Sequence, residues 1–117
     1  RDPGPLYAAC DLVAVPSRLE PLGNVVLEAW SHGRAVVATH TAGPAELMEE
    51  CEGGVLVPPA DPRALAVAVT ELLADGARRA RLGAAGARTV RERLTPEAVV
   101  ARYLDTYARL VPEAQAL

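Results

Sequence analysis

Phenylalanine is absent from these 117 residues, tryptophan occurs once and methionine once, so the 50% hydrophobic content is carried by Ala, Val and Leu. A core of small side chains is expected, thinly packed and of marginal stability for a chain of this length. Cysteine is scarce too: Cys10 and Cys51 are too few for a metal cluster. A disulfide between them is conceivable, but two small apolar residues are the simpler reading. Nothing has the pattern of a secretory leader, and there is no run of about 20 apolar residues to span a bilayer. The expectation is a reduced, cytoplasmic protein, with peripheral contact at the inner membrane face left open. The net charge is −3. The arginines gather between Arg78 and Arg102 in a helical, Glu-interspersed pattern, so no nucleic-acid partner is expected. Neither an internal repeat nor a low-complexity linker divides the chain, and one domain is expected over residues 1–117.

What is present is a regular alternation. Leu12–Val15, Ala35–Ala38 and Val55–Val57 are short apolar runs that read as buried strands, each followed by turn residues and then a helical pattern. Strand and helix in alternation predict an α/β fold: a Rossmann-like parallel sheet of about three strands, flanked by helices and joined by right-handed crossovers. So small a sheet should keep an unpaired edge where further strands would add. A first helix is expected from Gly23, stopping at Gly33 and Arg34. Asp61 and Pro62 open another in cap and first-turn order, with Ala64, Leu65, Ala68, Val69, Leu72 and Leu73 as its apolar stripe. Thr95 and Pro96 open a last one, with Val99, Tyr103, Tyr107 and Leu110 near one face that is left partly uncovered. The glycines of Gly83 to Gly86 follow no strand, so they are not a dinucleotide fingerprint.

The stretch Ser17 to Glu28 carries the chemistry. Pro16 and Pro21 end the first strand, and Glu20 and Glu28 then bracket the start of the first helix. In open parallel sheets ligands sit beyond the carboxyl ends of the strands, where free N–H groups of the next helix favour an anion. The amides of Gly23, Asn24 and Val25 are the candidates. Asn24 and Glu28 are four apart and share a helix face. Carboxylates accept hydrogen bonds only and would repel a phosphate, so Glu20 and Glu28 suit neighbouring hydroxyls. A ligand with both phosphate and sugar hydroxyls fits. The other reading is that Glu20 complements the helix dipole, worth about 0.3–1 kcal/mol, and Glu28 is merely solvated. Arg18 either pairs with a diphosphate or faces solvent. Ser17 has no adjacent histidine base and is read as hydrogen-bonding within the loop. After the second strand, Thr39 to Glu46 is a turn leading into a helix, with Pro44 in its first turn. Gly43 there serves either a tight turn or a ligand, and Glu46 either the dipole or a ligand. His40 at the strand end and His32 at the helix end are read as structural.

Pro16 and Ser17, Glu20 to Gly23, Leu27 to Ala29 and Gly33 to Thr39 together resemble the retaining glycosyltransferases of family 4. The likeness runs from Leu6 to Asp11, through Gly54 to Pro62, to the terminal helices. It implies the later part of the second lobe of the two-lobed GT-B architecture. It further implies that Glu20, taken as the catalytic residue, contacts the donor sugar and that Glu28 binds the ribose hydroxyls. The backbone of Leu22, Gly23, Asn24 and Val25 would hold the donor's sugar and diphosphate, with Gly43 and Glu46 beside the sugar. Where the family has a second glycine, this chain has Ala42. The implied activity is transfer of a sugar from a nucleotide-sugar to the hydroxyl of an unknown acceptor, with retained configuration, no metal and no cofactor beyond the donor. The acceptor lobe and the family's basic Arg/Lys loop are expected to lie outside this chain, which by itself is expected to be inactive. The basic loop would belong to the start of the same second lobe, and a missing N-terminal lobe or a partner chain is the expected protein partner. The Glu20 to Asn24 wording looks like that of bacterial surface-polysaccharide and lipopolysaccharide enzymes. The alternatives are a non-catalytic module that binds a nucleotide or docks a partner through its last helices, and a sugar-nucleotide epimerase of the same architecture.

Overall fold

The computed structural model describes residues 2–111. Their order is α1 (Gly4–Ala9), β1 (Leu12–Val15), α2 (Asn24–Ser31), β2 (Ala35–Thr39), α3 (Ala42–Glu50), β3 (Gly54–Val57), α4 (Pro62–Ala74), α5 (Gly76–Arg93) and α6 (Pro96–Leu110). The three strands form one parallel sheet in the order β1-β2-β3, as the alternation predicts. Leu12 stands beside Ala35, and Val36 beside Gly54. β2 lies in the middle, and all its residues are buried.

Side-chain alternation along β2 divides the interior. Val36 and Ala38 pack on one face with Val26, Ala29 and Trp30 of α2, whereas Ala35 and Val37 pack on the other with Ala68 and Leu72 of α4. Complete burial of a side chain such as Leu72 contributes about 1.5–3 kcal/mol. The core is built mainly from Val, Ala and Leu, and its largest member is Trp30. Its indole is fully buried, and its Nε1–H donates to the Gly53 carbonyl at 3.0 Å. Room for the ring is made by two glycines: a Cβ on Gly53 or Gly86 would lie 2.4 Å from it. Gly83 lets α5 approach the turn after α2, since a Cβ there would come within 2.1 Å of the Gly33 carbonyl oxygen. The glycines of Gly83 to Gly86 are thus packing contacts for α5.

α2 ends as its sequence indicates. Gly33 takes φ +67°, its N–H donates to the Trp30 carbonyl, and the Arg34 N–H reaches back to Ala29. This paired closure satisfies two of the last helical carbonyls and aims the chain into β2. The caps expected at Asp61 and Thr95 are present: Asp61 accepts from the Ala64 N–H at 2.9 Å and Thr95 from the Ala98 N–H at 3.2 Å. Cys10 and Cys51 are free thiols. α6 has no buried residue and exposes Val100, Tyr103, Leu104, Tyr107 and Leu110. No helix among the described residues is long and apolar enough to cross a membrane.

Candidate functional site

Because the strands are parallel, the carboxyl ends of β1 and β2 open on one edge of the sheet, and the loop from Pro16 to Leu22 lies across it. Thr39, the buried polar residue at the end of β2, ties this loop down: its hydroxyl donates to the carbonyl of Ser17 and approaches that of Val15 at 3.4 Å. The Ser17 contribution to loop bonding is therefore its carbonyl.

α3 supplies the second support. The Gly43 N–H donates to the Glu20 carbonyl at 2.8 Å. Gly43 does not make a tight turn, as one reading of the sequence had it, but lies inside the first turn of α3. It must be glycine because α3 presses on the backbone of the loop: a Cβ would meet the Leu22 carbonyl carbon at 2.5 Å and the Gly23 nitrogen at 2.7 Å.

The Glu20 carboxylate turns back onto the start of α2. Its Oε1 accepts from the Gly23 N–H at 3.0 Å and, more weakly, from the Leu22 N–H at 3.4 Å. Gly23 itself has φ +79°, a left-handed conformation that brings these amides around one oxygen. This divides the four amides that the family resemblance groups together. Those of Leu22 and Gly23 are taken by Glu20, while Asn24 and Val25, the first two helical residues, keep N–H groups with no partner among the described residues. The dipole of α2 adds its positive end there.

Glu28 is exposed one turn further along α2, and it is not free. Tyr7 of α1 donates its hydroxyl to Glu28 Oε2 at 2.8 Å. The phenol is raised above its ordinary 10.0, first by that hydrogen bond, then by burial and by the charge of Glu28. Arg34 fixes the backbone of Tyr7, donating from Nε to the Tyr7 carbonyl at 2.9 Å and from Nη2 to that of Ala8 at 2.7 Å. The Tyr7 ring stacks on His32 with centroids 5.3 Å apart. His32 Nδ1 lies 2.9 Å from the Glu28 carbonyl oxygen. His32, read from sequence as a helix-end residue, thus belongs to the support of Glu28.

Glu20, Leu22, Gly23, Asn24, Val25 and Gly43 are brought together around one helix start, with Glu28 on the same helix. Arg18 is exposed on the loop with no ion-pair partner among the described residues, and Glu46 is exposed on α3. His40 donates its backbone N–H to Val57 at 2.8 Å. Its side chain lines an open cleft of about 440 Å³ with Leu56, Val57, Pro58 and Pro59, at the same strand ends. Sequence reasoning missed the roles of Tyr7, Arg34 and Thr39. Free amides flanked by two anchored carboxylates can receive an anion and hydroxyl groups at once.

Comparison with known proteins gives the family of the chain. A family model described as "Glycosyl transferases group 1" matches residues 1–75. The lipopolysaccharide core biosynthesis glycosyltransferase LpsE of Rhizobium meliloti is 37% identical over 107 residues, which are 92% of this chain and 32% of that protein. The D-inositol 3-phosphate glycosyltransferase of Xylanimonas cellulosilytica is 45% identical over 103 residues, 88% of this chain and 24% of that protein. This chain therefore spans a third or less of the length of these relatives. Among solved structures, sucrose-phosphate synthase from Thermosynechococcus elongatus superimposes with a TM-score of 0.80 at 35% identity, over 92% of this chain and 27% of that one. Anabaena Alr3699/HepE in complex with UDP and glucose gives 0.81 at 31% identity, over 93% and 30%. These neighbours are GT-B glycosyltransferases, and the small parallel sheet with its helices is part of that architecture. The chain belongs to the group 1 glycosyl transferases.

Proposed function

We propose that this chain is the donor-binding part of a retaining glycosyltransferase, which moves a sugar from a nucleotide-sugar to an acceptor hydroxyl. One observation carries the reading: Glu20, held by the Gly23 N–H and by Gly43, lies beside the free amides of Asn24 and Val25 at the start of α2. The similarity to a protein solved with UDP and glucose supports the same ligand class.

In this reading the Asn24 and Val25 amides face the donor's diphosphate. Charge grows on the diphosphate as the bond to the sugar's anomeric carbon breaks and the leaving oxygen keeps the electron pair. Donors already aimed at that charge lower the barrier most, because they need no reorganisation at the moment of reaction. The acceptor oxygen bonds to the same carbon and gives up its proton; no residue here is assigned as the base. Glu20 uses Oε1 for the Leu22 and Gly23 amides, and Oε2 faces the sugar hydroxyls. Glu28 accepts from the ribose hydroxyls, and Arg18 adds a mobile positive charge near the diphosphate. Gly43 and Glu46 border the sugar. No metal or cofactor is invoked, the acceptor is unassigned, and a segment of this size by itself does not complete a two-lobed site. The exposed apolar face of α6 is where the rest of the protein or a partner chain would rest.

The test is transfer by the full-length protein, with nucleoside diphosphate release followed for uridine, guanosine and adenosine donors and the product anomer identified by NMR. Retained configuration is expected. An inverted product would overturn the retaining assignment, and a protein that neither binds a nucleoside diphosphate nor transfers sugar would overturn the whole reading.

A further inference from the structure

An exposed glutamate on a helix ordinarily samples several rotamers, and a ligand that needs one of them must bear the cost of selecting it. Glu28 is spared this. Its Oε2 accepts from the Tyr7 hydroxyl at 2.8 Å, and Tyr7 is itself fixed by the Arg34 fork on the Tyr7 and Ala8 carbonyls and by its stack on His32. We propose that Tyr7 is a positioning residue for nucleotide recognition, which holds Glu28 in the orientation that receives the ribose diol.

The inference rests on the ribose role given to Glu28 above. A carboxylate offers about four acceptor sites. Tyr7 uses one, leaving enough for two ribose hydroxyls. The hydroxyl of Tyr7 is not what docks α1, since the Arg34 bonds and the ring stack on His32 involve other atoms. Its partner among the described residues is Glu28. The raised phenol keeps the proton, and so the donor, in place through neutral pH. Preorganising one long side chain in this way should be worth roughly a 3- to 10-fold gain in affinity.

The experiment titrates the full-length protein by calorimetry with whichever of uridine, guanosine and adenosine diphosphate it binds, and with the 2′,3′-dideoxy form of the same nucleotide. Tyr7→Phe keeps the ring and loses only the hydroxyl. It should weaken the ribonucleotide roughly 3- to 10-fold and leave the dideoxy analogue unchanged. Glu28→Gln should reduce the same preference further, and adding Tyr7→Phe to it should cost nothing more. The ratio of the two affinities within one variant is unaffected by a lower folded fraction. Arg34→Lys, which gives up the fork, should lower that ratio as well and provides a second route if Tyr7→Phe folds poorly. If Glu28→Gln shifts the ratio while Tyr7→Phe does not, or if Tyr7→Phe weakens both ligands equally, the role of Tyr7 is refuted. If Glu28→Gln leaves the ratio unchanged, or no nucleotide binds, the reading of Glu28 fails and this inference with it.

Discussion

Replacing Gly43 by Ala should damage both stability and ligand binding, through a contact visible at atomic scale. The new Cβ would lie 2.5 Å from the Leu22 carbonyl carbon, 2.7 Å from the Gly23 nitrogen and 2.8 Å from the Leu22 nitrogen. Ordinary contact begins near 3.4 Å, and all three neighbours are main-chain atoms that cannot rotate aside. The loop cannot yield easily, because Glu20 ties it to α2 and Thr39 ties it to β2. Relief must come from α3 backing away by about an ångström, which stretches the 2.8 Å bond from the Gly43 N–H to the Glu20 carbonyl. Overpacking of this kind costs about 1–3 kcal/mol and a weakened hydrogen bond about 0.5–1.5, so roughly 2–4 kcal/mol is expected. That is a large share of the ~5–15 kcal/mol that holds a typical domain. Urea unfolding followed by circular dichroism should show a lower midpoint with an unchanged slope, and nucleotide affinity should fall with it. Gly33 supplies the control. It has φ +67° and no atom within 4 Å of an added Cβ, so Gly33→Ala costs only backbone strain, roughly 1–2 kcal/mol. A wild-type midpoint for Gly43→Ala, or a greater loss for Gly33→Ala, would refute the reasoning.

Glu28→Gln keeps the shape of the side chain but loses the charge that, in the proposed role, receives the ribose hydroxyls. At about 1.5–3 kcal/mol for a charge-assisted hydrogen bond, nucleotide binding by the full-length protein should weaken about 10- to 100-fold, and unchanged affinity in calorimetry would remove the ribose assignment. Trp30→Phe deletes the Nε1–H that satisfies the Gly53 carbonyl and leaves a void between Gly53 and Gly86. A loss of about 2–4 kcal/mol in denaturant unfolding is expected, and a loss under 1 would contradict the packing described. Asp61→Ala should cost about 1 kcal/mol, because the first turn of α4 loses its cap on Ala64. Tyr7 should titrate above the ordinary 10.0 in phenolate absorbance. Above pH 10 the native state then keeps a proton that the unfolded chain releases, so this contribution to stability is whole below pH 10 and is lost as pH rises through the native pKa. In Glu28→Gln the phenol should fall back toward its ordinary value, and an unmoved titration would mean that the pair does not form in solution.

The parts of this fold that were legible in sequence are those fixed locally. Ala35–Ala38 is apolar because both faces of the central strand are covered, Leu12–Val15 is apolar along a partly buried edge, and the Gly33 and Asp61 signals act within one turn of where they stand. Boundaries moved only slightly, with β2 extending to Thr39 and β3 beginning at Gly54. α1 has six residues, with Pro5 among them and Pro3 at its cap, so no helical period could develop. The function of Gly83 and Gly86 was equally hidden. Each is explained by a partner distant in the chain, Gly33 for one and Trp30 for the other, and a glycine in a helical pattern does not say what it makes room for.

The candidate site divides along the same line. Glu20, Gly23, Asn24 and Glu28 could be grouped because loop and helix start place them together by chain geometry alone. Which amides remain free could not be read, since that depends on the Glu20 carboxylate folding back onto Gly23 and on α3 arriving from beyond β2. Glu28 shows the limit most clearly. As a sequence position it is equally a solvated helix residue or a ligand, and its surroundings come from Tyr7, 21 residues earlier, and from Arg34, which bonds back across 27 and 26 residues to the Tyr7 and Ala8 carbonyls. An exposed carboxylate that served only solubility would gain little from being held by a tyrosine that is itself held by an arginine, because exposed contacts contribute little stability. A carboxylate that must meet two hydroxyls in one geometry gains from every constraint placed on it before the ligand arrives.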